Sequence, residues 1–99
     1  MHRLLLRQVC PDSRVFRADG QRLRAAIEAA WSDGEPLEVD FEDQTIASIS
    51  FLDESVATLF VDYDAELIRR RLKLVGLTQG DRDQLNALVA KRRATRTAA

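Results

Sequence analysis

A change of hydrophobic period between residues 37 and 63 constrains the fold of this chain more than any other feature. Leu37, Val39 and Phe41 alternate with acidic residues, which places apolar side chains on one face of a β-sheet. Five apolar residues then recur at the spacing of one helical face: Leu52, Val56, Leu59, Phe60 and Tyr63. The sequence therefore predicts a strand, a tight turn with a short extended piece at 45–47, and an amphipathic helix.

The junction between this strand and this helix reads SISFLDE, at residues 48–54. Ser50 followed three residues later by Asp53 has the spacing of a capping box, in which the serine hydroxyl accepts a backbone N–H of the first helical turn. We therefore expect Ser50 to cap the helix, with Ser48 as a second hydroxyl nearby. Phe51 precedes the main apolar stripe, and two placements stay open for it: in the core, or exposed as an apolar anchor for a partner.

The flanking segments complete the predicted element order ββαβαβα. Residues 1–9 and 14–17 predict two strands paired as a hairpin, and residues 21–32 predict a helix that ends before Gly34. The apolar run at 72–77 predicts a buried strand, which a final helix follows. Strand–helix–strand units favour parallel pairing in the middle of the sheet.

The fold class that follows is α/β, with a mixed sheet of four to five strands and helices mainly on one face. The 99 residues make one domain, which we assign to residues 1–95, with a frayed basic tail at 96–99.

Composition narrows the classes of function. The chain is 45% apolar and 31% charged, as in ordinary globular domains, and no apolar run approaches the length of a membrane span. We therefore expect a cytoplasmic domain without membrane contact. Cys10 is the single cysteine and His2 is the single histidine, so the sequence offers few ligands for a zinc site and few groups for histidine acid–base chemistry. We expect no catalytic residue, metal or cofactor.

Charge is distributed unevenly along the chain. Between Arg24 and Arg69 there are twelve carboxylates and no lysine or arginine. Two interpretations stay open: an acidic surface that attracts a basic protein, or carboxylates that fold back onto the arginines of the flanks. No aromatic residue interleaves the basic clusters at 69–71 and 91–93, so nucleic acid is not an expected partner.

Two segments, PLEVDFED at 36–43 and IASISFLDE at 46–54, resemble the STAS-like domains of unknown function. These are distant relatives of the STAS domains of anti-sigma factor antagonists and sulfate transporters. The resemblance extends over roughly residues 20–89 and implies a STAS-like fold. Antagonist-type domains open this helix with Asp-Ser-Ser-Gly-Leu and are phosphorylated on the second serine. Counting from Asp40, Ser50 is the matching position, whereas Ser48 and Phe51 replace the family's aspartate and glycine.

The resemblance implies partner switching, in which the unphosphorylated domain binds a histidine-kinase-like ATPase regulator and a phosphate at the helix start breaks that complex. The candidate phosphoacceptors are then Ser50 and Ser48. The candidate partner-binding residues are Asp40, Phe51, Asp53, Glu54 and Thr58. We expect a non-enzymatic regulatory module of bacterial signalling. The alternative is a structural or scaffolding domain without a switch, including a homo-oligomer.

Overall fold

The strands form two separate parallel sheets in the computed structural model, which describes residues 2–32 and 34–98, with side chains to residue 96. The larger sheet has the order β1-β3-β5 and contains β1 (His2–Leu5), β3 (Leu37–Asp40) and β5 (Leu72–Val75). The smaller sheet pairs β2 (Arg14–Val15) with β4 (Thr45–Ile46).

The prediction of one mixed sheet with four to five strands is therefore wrong, and so is the predicted N-terminal hairpin. The short helix α1 (Leu6–Val9) follows β1 directly, with Leu6 fully buried. This turn carries the chain away from β1, and β2 pairs with β4 rather than with β1. The mixed α/β class and the parallel pairing are confirmed.

The remaining helices surround the buried face of the larger sheet. They are α2 (Arg17–Trp31), α3 (Ile49–Leu52), α4 (Leu59–Asp62), α5 (Ala65–Arg71) and α6 (Gln79–Ala98), and a π-helical turn over Asp53–Ala57 joins α3 to α4. None of these helices is long and apolar enough, within the described ranges, to cross a membrane.

Helix α2 begins four residues before the predicted start, because Gly20 lies inside it rather than in a break. The Asp19 carboxylate accepts a hydrogen bond from the Phe16 N–H at 2.9 Å, which satisfies one donor at the start of the helix. At the other end of the chain, α6 continues to Ala98, so fraying of 96–99 stays a prediction. Met1 and Ala99 lie outside the described residues.

The alternation predicted for strand β3 determines its two faces. Leu37, Val39 and Phe41 are buried against the helices. Glu38 points to the opposite face, where it lies in register with Arg3 of β1 and Lys73 of β5. Its carboxylate oxygens lie 3.5 Å from the Arg3 Nε and 3.9 Å from the Lys73 Nζ. A cross-strand charge ladder therefore covers the face that no core residue occupies.

Helix α2 approaches α3 closely at Gly20. A Cβ atom at Gly20 would lie 2.7 Å from the Phe51 carbonyl oxygen and 3.0 Å from the Glu54 Cβ. The first contact is with backbone, which cannot rotate away as a side chain does. The packing of α2 on α3 therefore depends on the missing side chain at this position.

We predict that Gly20→Ala lowers the free energy of unfolding by about 1–3 kcal/mol, the usual cost of overpacking. Urea denaturation followed by circular dichroism measures the change. Gly80→Ala is the matched control, because Gly80 also lies in a helix and a Cβ there meets no atom within 4 Å. The control should be neutral or slightly stabilising, as alanine favours helix. Equal destabilisation by both variants would contradict the assigned contact.

Candidate functional site

The β4–α3 junction, residues 46–54, carries two serine hydroxyls in direct contact. Ser48 has extended backbone (φ −144°, ψ 134°), and its Oγ accepts a hydrogen bond from the Ser50 N–H at 3.3 Å. The two serine Oγ atoms lie 2.5 Å apart. Ser48 is therefore the cap, and the prediction that Ser50 caps the helix is wrong. Helical bonding already begins at the Ser48 carbonyl, which accepts from the Phe51 N–H at 3.0 Å, so Ser50 lies within the first turn.

Phe51 belongs to the core. Its side chain is fully buried and packs edge-to-face on Phe41, with ring centroids 6.4 Å apart. The interpretation of Phe51 as an exposed apolar anchor is therefore wrong. The exposed apolar residue of the junction is Ile49, with 51% of its surface accessible.

The exposure of Ile49 was not predicted from the sequence, because its helical spacing indicates a buried side chain. Ile49 precedes Leu52 by three residues, which on a helix places it near the buried stripe. It is nevertheless exposed, and it is the first residue of α3. Only the position of the helix start relative to its neighbours reveals this.

Asp53 connects the π turn to the C-terminal helix. Its carboxylate accepts two hydrogen bonds from Arg92, at 2.9 Å from Nε and 2.6 Å from Nη2. These bonds from Arg92 hold the pKa of Asp53 below its usual range, and partial burial opposes them. Asp53 therefore has a bidentate partner within the domain, and its expected role in binding a partner protein is untested.

Glu54 connects the same turn to α2. Its Oε1 bonds to the Arg17 guanidinium, and its Oε2 lies 3.8 Å from Arg24 Nη1. Thr58 ends the π turn, is partly buried, and donates its N–H to the Asp53 carbonyl at 3.0 Å, the i to i+5 bond of a π-helix. Ser50, Asp53, Glu54 and Thr58 thus follow one another along the helical segment that Ser48 caps.

Asp40 lies apart from these residues, at the carboxyl end of β3. It accepts hydrogen bonds from the Glu42 N–H at 2.9 Å and from Arg3 Nη2 at 2.6 Å. The bond from Glu42 and then the bond from Arg3 lower the pKa of Asp40. Because β3 belongs to the larger sheet and the junction follows the smaller one, Asp40 is not part of the serine site.

About half of the twelve carboxylates in the acidic stretch are paired within the described part of the domain. Six of its carboxylates form ion pairs: Glu28, Glu38, Asp40, Asp43, Asp53 and Glu54. Most of their partners are arginines of the N- and C-terminal flanks, so the interpretation that the carboxylates fold back is the one observed here. Asp62, Asp64 and Glu66, around the turn from α4 to α5, are exposed and form no ion pair within the described ranges. Asp33 lies outside those ranges.

Other candidate groups are structural. Cys10 is buried, and this burial raises the pKa of its thiol to about 11, so it stays protonated at neutral pH. The Trp31 Nε1 donates to the Arg71 carbonyl at 3.1 Å, and its ring packs edge-to-face on Tyr63. Across residues 2–32 and 34–98, no three His, Cys, Asp or Glu side chains are grouped as a metal site.

We predict that Ser48→Ala lowers the free energy of unfolding by about 1 kcal/mol, the typical value of an N-cap. Ser50→Ala should cost about 0.5 kcal/mol or less, because the bond to the cap uses the Ser50 backbone and survives the change. Thermal or urea unfolding compares the two variants under one condition. A larger cost for Ser50→Ala would place the cap at Ser50 instead.

We predict that Asp53→Asn destabilises the domain by about 1 kcal/mol at pH 7, after allowance for solvent screening of this partly exposed pair. The pKa of Asp53 is lower in the folded state than in the unfolded state. Its contribution to the free energy of unfolding is therefore fully present above the unfolded-state pKa of about 3.9, and it is lost as the pH falls through the folded-state pKa. The difference in the free energy of unfolding between wild type and Asp53→Asn should therefore shrink as the pH falls from about 5 toward 3.

Asp62→Asn is the matched control for Asp53→Asn, since Asp62 is an exposed aspartate on α4 that forms no ion pair with any described residue. Its effect should stay within about 0.5 kcal/mol. If the loss of unfolding free energy in Asp53→Asn does not depend on pH, the charge of Asp53 does not stabilise the fold.

Comparison with known proteins agrees with this architecture. A family model described as "STAS-like domain of unknown function (DUF4325)" matches residues 19–82, from α2 to the first turn of α6. Neither a search of curated proteins nor a search of solved structures gives a match. Because the family model spans well over half of the chain, this chain belongs to the family of STAS-like domains of unknown function.

Proposed function

We propose that this STAS-like domain is a non-enzymatic regulatory module that binds a protein partner through the β4–α3 junction. Phosphorylation of Ser50, or of its neighbour Ser48, breaks that complex. The partner is a histidine-kinase-like ATPase regulator, and the setting is bacterial signalling in the cytoplasm. The observation that carries the proposal is an exposed isoleucine, Ile49, located between two hydroxyls that a kinase can modify.

An apolar surface at the junction supports binding of a protein. Phe16 and Ile49 are the large hydrophobic side chains that are about half exposed in the described part of the chain. The parallel register Val15↔Ile46 places both residues at the carboxyl end of the smaller sheet, one at the start of α2 and one at the start of α3. Exposed aromatic and aliphatic side chains at one end of a domain are typical of a docking surface. We call this the Phe16–Ile49 surface.

A phosphate on Ser50 changes this surface in two ways. It adds about −1.5 to −2 charge beside Ile49, which opposes burial of the isoleucine against a partner. It also lies one helical turn before Glu54, which is neutralised by Arg17 of α2. The phosphate therefore competes with Glu54 for Arg17, the residue that follows Phe16 directly. Modification at one serine thus affects both halves of the Phe16–Ile49 surface.

A scaffolding role is the second candidate, and the larger sheet favours it. β1 and β5 are its outer strands, and each leaves one edge without a strand partner among the described residues. Open edges of this kind can pair with a second chain. In this case the domain self-associates and the serines carry no signal.

We predict that the domain forms a complex with a histidine-kinase-like ATPase and that Ile49→Asp weakens this complex at least about tenfold. Ala87→Asp on α6 is the matched control, because Ala87 is also exposed and the same charge is introduced away from the junction. The affinity is measured by titration calorimetry, and circular dichroism verifies that both variants fold.

Incubation of the complex with ATP and magnesium, followed by mass mapping, tests the switch. The proposal expects phosphate at Ser50 or Ser48 and dissociation of the modified domain. Absence of both a complex and a modified serine would overturn it. A concentration-dependent dimer in light scattering, without binding of the ATPase, would favour the scaffolding role.

A further inference from the structure

A cavity of about 260 Å³ lies between α5, β5 and α6, away from the β4–α3 junction. Its wall is formed mainly by apolar side chains, including Phe60, Ile68, Leu72, Leu74, Leu85 and Val89. Phe60, Ile68 and Leu85 belong to the hydrophobic core, and Leu72 and Leu74 alternate along β5 with the outward Lys73. The cavity is therefore an opening into the core rather than a groove in a polar surface.

Two arginines line this cavity, and neither forms an ion pair with a described residue. The guanidinium of Arg69 on α5 has no hydrogen bond or ion pair to any described residue, whereas those of Arg17 and Arg92 are each bonded to a carboxylate. The guanidinium of Arg82 on α6 donates to the Leu74 carbonyl at 3.3 Å, which orients it above β5 without neutralising it. Asn86, one helical turn after Arg82, adds a neutral amide to the same lining.

No aspartate or glutamate of the described part lines the cavity. The two guanidinium groups lie at an apolar opening whose lining has no acidic side chain. Such a site is complementary to a ligand with one anionic group and an aliphatic chain. A volume of about 260 Å³, at roughly 30 Å³ per non-hydrogen atom as in liquid water, holds about nine such atoms. A cationic ligand has no acidic partner on this wall.

We propose that this cavity is a binding site for a small aliphatic carboxylate of about seven or eight carbons, which has about nine or ten non-hydrogen atoms; its chain lies on the core residues and its carboxylate is held by Arg69 and Arg82. The proposal does not depend on the proposed function of the junction, since no residue of the Phe16–Ile49 surface lines the cavity. The ligand connects α5, β5 and α6, and it stabilises the folded state because it binds only when these elements are assembled.

Titration calorimetry of the full chain with octanoate tests the site. Binding of octanoate is expected, with a rise in melting temperature at saturation, while octanol and octylammonium should bind at least about tenfold more weakly because they lack the negative charge. Arg69→Gln and Arg82→Gln should each weaken octanoate binding about three- to tenfold. Arg70→Gln is the matched control, because Arg70 is an exposed arginine of the same helix that does not line the cavity.

Val89→Phe separates a binding defect from a folding defect. The larger side chain occupies the cavity from α6, so octanoate binding should be lost while the circular dichroism spectrum is kept. Equal binding of octanoate and octanol, unchanged affinity in both arginine variants, or octanoate binding retained by Val89→Phe would each overturn the proposal. Absence of octanoate binding to the wild-type chain would also overturn it.

Discussion

The structure depends on the close approach of α2 to α3 and the π turn. Gly20 makes this approach sterically feasible, because its hydrogen stands where any side chain would meet the Phe51 carbonyl. Two ion pairs from Arg17 and Arg24 to Glu54 hold the same helices together at their solvent side. The contact locates the starts of both helices at one end of the smaller sheet.

Charge has a mainly internal role in this domain. The central stretch is acidic and the two flanks are basic, and folding brings them into contact through pairs such as Arg3 with Asp40 and Arg92 with Asp53. These carboxylates are therefore poorly suited to attract a basic partner over a distance. In the proposed function, recognition at the junction therefore rests on apolar contact and on the serines rather than on these carboxylates.

One helical segment, residues 49–62, connects the two proposed sites. Its start carries Ile49 and the serine pair, and its end contributes Phe60 to the wall of the cavity. The π turn between them adds a residue to one turn of the helix, and the Ser55 hydroxyl donates to the Phe51 carbonyl at 2.7 Å within it. Phe51 and Phe60 both lie in the core, although the spacing of a regular α-helix would not place them on one face. The extra residue of the π turn rotates the second part of the segment relative to the first, so that both side chains are buried.

The sequence by itself determined the elements whose signals are local. Alternation at 37–41 defines β3 and its buried face, helical spacing at 52–63 defines the segment that follows, and the motif at 46–54 carries the family resemblance. The tertiary structure alone decided which strands pair, because the period of a strand specifies its faces and not its neighbours. It also decided that Ser48 rather than Ser50 is the cap, that Phe51 is buried while Ile49 is exposed, and that the arginines of the flanks neutralise the acidic centre. These outcomes depend on contacts between residues distant in the chain, which no local spacing encodes.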